Sequence, residues 1–134
     1  MAKLSTIEGI GDVWAGKLEA AGIKSVATLL ENGATAKGRR DLATRTGLRE
    51  ADILRWVNHA DLMRVRGVGA EYSELLEAAG VDTVAELARR NRANLYVAMS
   101  AANTERKRVR QLPTEKQVGG WIDQARALPR VIEY

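Results

Sequence analysis

The sequence predicts an all-α protein made of two copies of one five-helix unit, on three observations. Apolar residues recur at three- and four-residue steps, the periodic segments end on glycines, and the chain aligns with itself. Displacement by 58 residues superimposes 4–33 on 62–91 with 11 identities in 30 positions. Further on, Ile53, Trp56, Val57, Ala60 and Met63 pair with Val118, Trp121, Ile122, Ala125 and Leu128. The offset there has grown from 58 to 65, so the second copy carries an insertion of seven residues.

The elements follow in order. Ile10, Trp14, Leu18 and Ala21 trace one helical face in the first copy, as do Val68, Tyr72, Leu75, Leu76 and Ala79 in the second. Gly22 and Gly80 stand where a left-handed residue closes a helix, and Ser25 and Thr83 are candidate N-caps of the next one. A fourth segment is expected at about 35–46, ended by Gly47, and a longer one at about 93–111, broken by Pro113 with Thr114 capping a final helix over 115–128. A fifth helix of the first copy, about 49–59, is expected to pass through Asn58–Asp61 into the first helix of the second copy. Residues 1–59 and 60–134 are thus the two repeats, and so short a junction predicts one pseudo-symmetric compact body of about ten helices. Trp14, Tyr72, Trp56 and Trp121 lie on apolar stripes and are expected to be buried.

With 46% hydrophobic residues in 134, the chain can bury a core. It has no cysteine and only His59 among histidines, so no disulfide, metal or cofactor is expected. The opening MAKLSTIEG has neither the charged start nor the apolar stretch of a signal peptide, and no apolar run has membrane-spanning length; the expected location is cytoplasmic, with no membrane partner. Lysine and arginine exceed aspartate and glutamate by 21 to 17. The excess is local. Residues 34–49 carry Lys37, Arg39, Arg40, Arg45 and Arg49 against Asp41, and 89–116 carry eight basic side chains against Glu105 and Glu115, whereas 60–86 hold Arg64 and Arg66 against six acidic ones.

Ile7-Glu8-Gly9-Ile10-Gly11 and Val65-Arg66-Gly67-Val68-Gly69 each place an apolar residue between two glycines. Leu4 or Leu62 stands three residues earlier, and Ala15 or Ser73 four residues after the second glycine. The glycines permit a tight turn, Ile10 or Val68 anchors it in the core, and the amides opening the next helix can hold a phosphate oxygen with help from the helix dipole. Both segments resemble the helix-hairpin-helix signature. That resemblance implies sequence-independent binding to the sugar–phosphate backbone, of double-stranded DNA in most members, often through paired hairpins. Carried onto this chain, it points to Gly9, Ile10, Gly11, Gly67, Val68 and Gly69, with Lys17, Arg64 and Arg66 supplying charge. The positions after each turn depart from the usual basic pattern, being Asp12-Val13-Trp14 and Ala70-Glu71-Tyr72. Over nearly its full length, and most clearly in WVNHADLMRVRGVG and RQLPTEKQVGGWIDQARALPRV, the chain also resembles an uncharacterised bacterial family known only as a domain of unknown function.

Catalytic patterns are wanting. There is no G-x-x-x-x-G-K-[ST] loop, the glycine pairs lack the third glycine and preceding strand of a dinucleotide site, and Glu74/Glu77 and Glu50/Asp52 read as exposed helix charges. The sequence therefore points to a binding protein rather than an enzyme. Two readings stand: a nucleic-acid backbone binder working through both turns, and a protein-interaction scaffold in which the glycines only shape the chain. Acidic residues beside the turns favour the second.

Overall fold

The computed structural model describes residues 3–134. It is all-α: eight α-helices and one 3₁₀ turn, with no strand among the described residues. The chain divides into two units, one of residues up to Asp61 joined by Val131–Tyr134, the other Leu62–Arg130.

In the first unit the 3₁₀ turn Leu4–Thr6 leads into α1 (Gly11–Ala20), α2 (Val26–Gly33), α3 (Ala36–Thr46) and α4 (Glu50–Leu62). Its interior holds Leu4, Ile10, Leu18, Leu29, Ile53 and Trp56. The caps are local chemistry. Ile23 N donates to Leu18 O (2.9 Å) and Gly22 N to Glu19 O (3.0 Å), the paired bonds of a glycine stop, with Gly22 at φ +90°. Ser25 and Thr35 accept from Thr28 N and Gly38 N to start α2 and α3. Arg39, only 6% exposed, donates from Nη1 to Gly33 O (2.8 Å) and Ala34 O (3.2 Å) and from Nη2 to Glu133 O (2.8 Å), fastening the C-terminal segment to the end of α2. Glu133 N in turn donates to Ala34 O (2.7 Å). Arg39→Ala is therefore expected to cost about 2–3 kcal/mol, the worth of lost charge-assisted bonds to partly buried carbonyls. It should also speed amide exchange at Glu133, measurable by hydrogen-exchange NMR; an unchanged Glu133 amide would contradict the clamp.

The second unit contains α5 (Ala70–Ala78), α6 (Val84–Leu87), α7 (Arg92–Glu105) and α8 (Glu115–Ala127) around Val68, Leu75, Leu87, Met99, Val118 and Trp121. The same glycine stop recurs, with Val81 N donating to Leu76 O (2.9 Å) and Gly80 N to Glu77 O (3.0 Å). Thr83 and Asn91 cap α6 and α7, and Thr114 and Gln117 form a reciprocal capping box on α8.

Four expectations need correction. The break expected at Asn58–Asp61 does not exist: α4 runs unbroken to Leu62 because Trp56, Val57, Ala60 and Leu62 are buried and no helix breaker intervenes. The second copy therefore has no separate opening helix, and the described residues hold eight α-helices rather than about ten. Third, α7 stops at Glu105 rather than near 111. There the Asn103 side chain takes over the bonding: Oδ1 accepts from Arg108 N (2.7 Å) and Val109 N (3.1 Å), Nδ2 donates to Val109 O (3.3 Å), and Val109 turns into the core. Fourth, the aromatic stripe is unevenly buried. Trp56 and Trp121 are 1% and 4% exposed, but Trp14 is 39% exposed and Tyr72 half-buried. Trp14 meets Trp56 in a tilted contact, ring centroids 5.4 Å apart and planes at 45°, and stays partly open to solvent.

Candidate nucleic-acid interface

Both glycine turns are built alike at their start. Ile10 N donates to Ile7 O (3.3 Å) and Val68 N to Val65 O (3.1 Å), closing turns whose third residue, Gly9 at φ +81° or Gly67 at φ +93°, is left-handed. Ile10 and Val68 are buried and anchor the turns, and the flanking glycines are exposed. Ala15 and Ser73 are buried too, so the small side chains expected there sit inside the packing. The turns then diverge. Gly11 is left-handed at φ +67° and opens α1, whereas Gly69 is extended at φ −98° and ψ −163° and serves as the N-cap of α5. Among the described residues, no side chain caps either helix. The first helical bond of α5 is donated by Ser73 N to Gly69 O (2.9 Å), so the amides of Ala70, Glu71 and Tyr72 precede the ladder.

The charges around the turns differ as well. Arg66 is exposed, and its backbone is held from both sides by Gln124: Arg66 N donates to Oε1 (2.9 Å) and Nε2 donates to Arg66 O (3.2 Å). The seven-residue insertion brings a further cation. Tyr72 Oη donates to Gln111 O (3.0 Å), docking the loop beside the turn so that Arg110 and Gln111 share a cleft of about 410 Å³ with Gly67, Gly69 and Glu71. Arg64, expected at this site, is drawn away, with Nη2 donating to Pro129 O (2.8 Å). At the first turn Lys17 is exposed in the second half of α1, and the Arg55 guanidinium lies close over Gly9, where an added Cβ would come within 3.3 Å of Nη1. Asp12 and Val13 are exposed just after Gly11, Val13 at 72%.

Arg55 and Arg110 are cations that the sequence reading did not place beside the turns. The sequence offered only an arginine beside Trp56 and the seven-residue length of the insertion as signals. Several cations of the two basic stretches are claimed by structure. Arg39 is the buried clamp, Arg49 Nε pairs with Asp52 Oδ2 at 3.0 Å and its guanidinium is pushed above the usual arginine range by that hydrogen bond and charge, and Arg108 Nη1 caps Ala102 O at 2.7 Å. Asn103→Ala would remove the brace of the Arg110 loop. It is expected to cost about 1–2 kcal/mol and to raise hydrogen exchange at Arg108 and Val109 selectively; uniform exchange changes would argue against a local brace.

Among the described residues no group of three or more histidine, cysteine, aspartate or glutamate side chains is placed to share a metal ion, and no helix is long and apolar enough to cross a membrane. No curated protein and no solved structure matches the chain. A family model described as a domain of unknown function (DUF4332) matches residues 8–128, nearly the whole chain that carries both turns and all eight helices, and the protein belongs to that family.

Proposed function

We propose that the chain is a non-enzymatic, sequence-independent nucleic-acid-binding module, built as two tandem helix-hairpin-helix units. The backbone of a duplex, DNA by the resemblance of the turns, is the ligand. The observation that carries the reading is the second turn: the uncapped start of α5 and loop-borne Arg110 line one cleft, and Arg66, the residue before Gly67, is exposed next to it in the chain. A phosphate there accepts from backbone N–H groups and meets the Arg110 guanidinium against the carboxylate of Glu71 in the lining, with exposed Arg66 adding charge from the turn itself. The first turn is the weaker half, since Asp12 sits beside it.

Fluorescence anisotropy of a labelled duplex and its matched single strand, titrated at several salt concentrations, tests this. If each hairpin neutralises about two phosphates, the logarithmic salt slope on duplex is about −3 to −4, with micromolar or weaker affinity at physiological salt. Absence of binding at low salt would sink the reading. One observation favours the rival scaffold reading: Val13 and Trp14 present apolar surface on α1 beside Asp12. On that reading duplex binding is absent, and Val13→Ser/Trp14→Ser abolishes a protein contact instead.

A further inference from the structure

A second cationic cleft lies in the unit Leu62–Arg130, on side chains that the turns do not use. It encloses about 220 Å³ between the start of α7 and the middle of α8, and its lining brings together Arg90, Arg92 and Arg126 with one carboxylate, Asp123. We propose that this cleft binds a phosphate group.

Three features of the geometry lead there. The first is Gly119. It lies inside α8, where glycine is among the poorest helix formers, and an added Cβ would stand 2.8 Å from Arg92 Cδ and 3.2 Å from its Nη1. Glycine at this position lets the Arg92 side chain lie across α8 and deliver its guanidinium into the cleft. The second is aim without saturation. Arg90 Nη1 donates to Ala79 O (3.4 Å) and Arg126 Nε to Ala88 O (3.2 Å), which orients both planes yet uses few of the five N–H donors each carries. The third is weak neutralisation. Arg92 Nε stands 3.6 Å from Glu115 Oε1, and Arg126 Nη1 stands 3.8 Å from Asp123 Oδ1, both beyond the distance of a charge-assisted hydrogen bond and both between well-exposed side chains. Three guanidiniums held together with such loose counter-charges repel one another, and an anion relieves that repulsion. Forks arriving from three separate backbone positions suit the several oxygens of a tetrahedral phosphate better than the single plane of a carboxylate. The phosphate belongs either to a free phosphorylated small molecule or to a nucleic-acid strand; the recognition chemistry is the same.

The test is an amide and arginine Nε–H NMR titration of the intact chain with pyrophosphate, with sodium chloride at matched ionic strength, and with a short duplex. Pyrophosphate is expected to shift the resonances of 91–94, Gly119 and the three arginines saturably. Arg92→Gln/Arg126→Gln, checked by circular dichroism, should weaken this at least about tenfold, while Arg92→Lys, which keeps charge but loses the fork, falls between. Arg89→Gln, at an exposed neighbour outside the lining, should leave it unchanged. Equal shifts with chloride alone, no saturation, or undiminished binding in the folded double glutamine variant would overturn the proposal. A duplex that moves the same resonances and competes with pyrophosphate identifies a strand as the source; response to pyrophosphate alone identifies a free phosphorylated molecule. Neither arm depends on the turns, whose failure would show separately as duplex binding indifferent to Arg66 and Arg110.

Discussion

Arg66→Glu/Arg110→Glu is expected to weaken duplex binding by about 100-fold and to flatten its salt slope by about 2. Both side chains are exposed, and neither donates a side-chain hydrogen bond that holds the fold; Arg66 is fixed through its backbone by Gln124, and Arg110 is carried on the loop docked by Tyr72. The fold should survive reversal, so lost affinity reports the interface. The magnitude follows from two contacts of about 1–1.5 kcal/mol each, at the low end for bonds to charged groups because both sites are solvated, and every 1.4 kcal/mol is tenfold. Reversal of two charges also turns attraction into repulsion beside Glu71, which already lines the cleft. Anisotropy of the variant against wild type at two salt concentrations checks both numbers. If affinity changed by less than about threefold, the second turn would not be the phosphate receptor, and the equivalent reversal at Arg55 and Lys17 would become the next experiment.

Trp121→Ala is expected to destabilise the second unit by about 3–5 kcal/mol, the range for emptying a large aromatic site from a core. Trp121 is buried, packs against Tyr72 with ring centroids 5.2 Å apart, and backs the second turn so closely that an added Cβ on Gly67 would lie 3.0 Å from its Nε1. Its removal therefore opens a cavity, loses an aromatic pair worth about 0.5–1.5 kcal/mol, and takes the floor from under the turn. Trp14→Ala is the matched control. Trp14 makes the equivalent ring contact with Trp56 but is already 39% exposed, so about 1–2 kcal/mol is expected. Urea unfolding followed by circular dichroism at 222 nm separates the two. Equal losses would mean that Trp14 is more deeply packed than its exposure implies.

These two experiments address different layers of one arrangement. The turn proposed as the phosphate receptor rests on Trp121, and its residue Arg66 is bracketed by Gln124 from the same helix, α8. A ligand contact on this turn is thus as well positioned as the packing of α8 behind it.

What the sequence by itself determined is local and periodic. Helix stops at Gly22, Gly47 and Gly80, caps at Ser25, Thr83 and Thr114, the buried anchors Ile10 and Val68, and the left-handed Gly9 and Gly67 all follow from chemistry within a few residues, where backbone geometry leaves few choices. Tertiary structure decided whatever depended on partners distant in sequence. Arg39 looks like one cation of a basic stretch, yet it is spent on carbonyls of α2 and of residue 133, 94 positions away. Arg64 immediately precedes the turn that contains Arg66, but of the two only Arg66 is exposed, while Arg64 finds Pro129 O 65 residues on. Arg110 belongs to the second turn only because Tyr72 reaches Gln111 across 39 residues. The physical reason is common to all three: a side chain's charge and length are written at its own position, but a buried or docked hydrogen-bonding group must find its partner in space, and that partner is supplied by the fold.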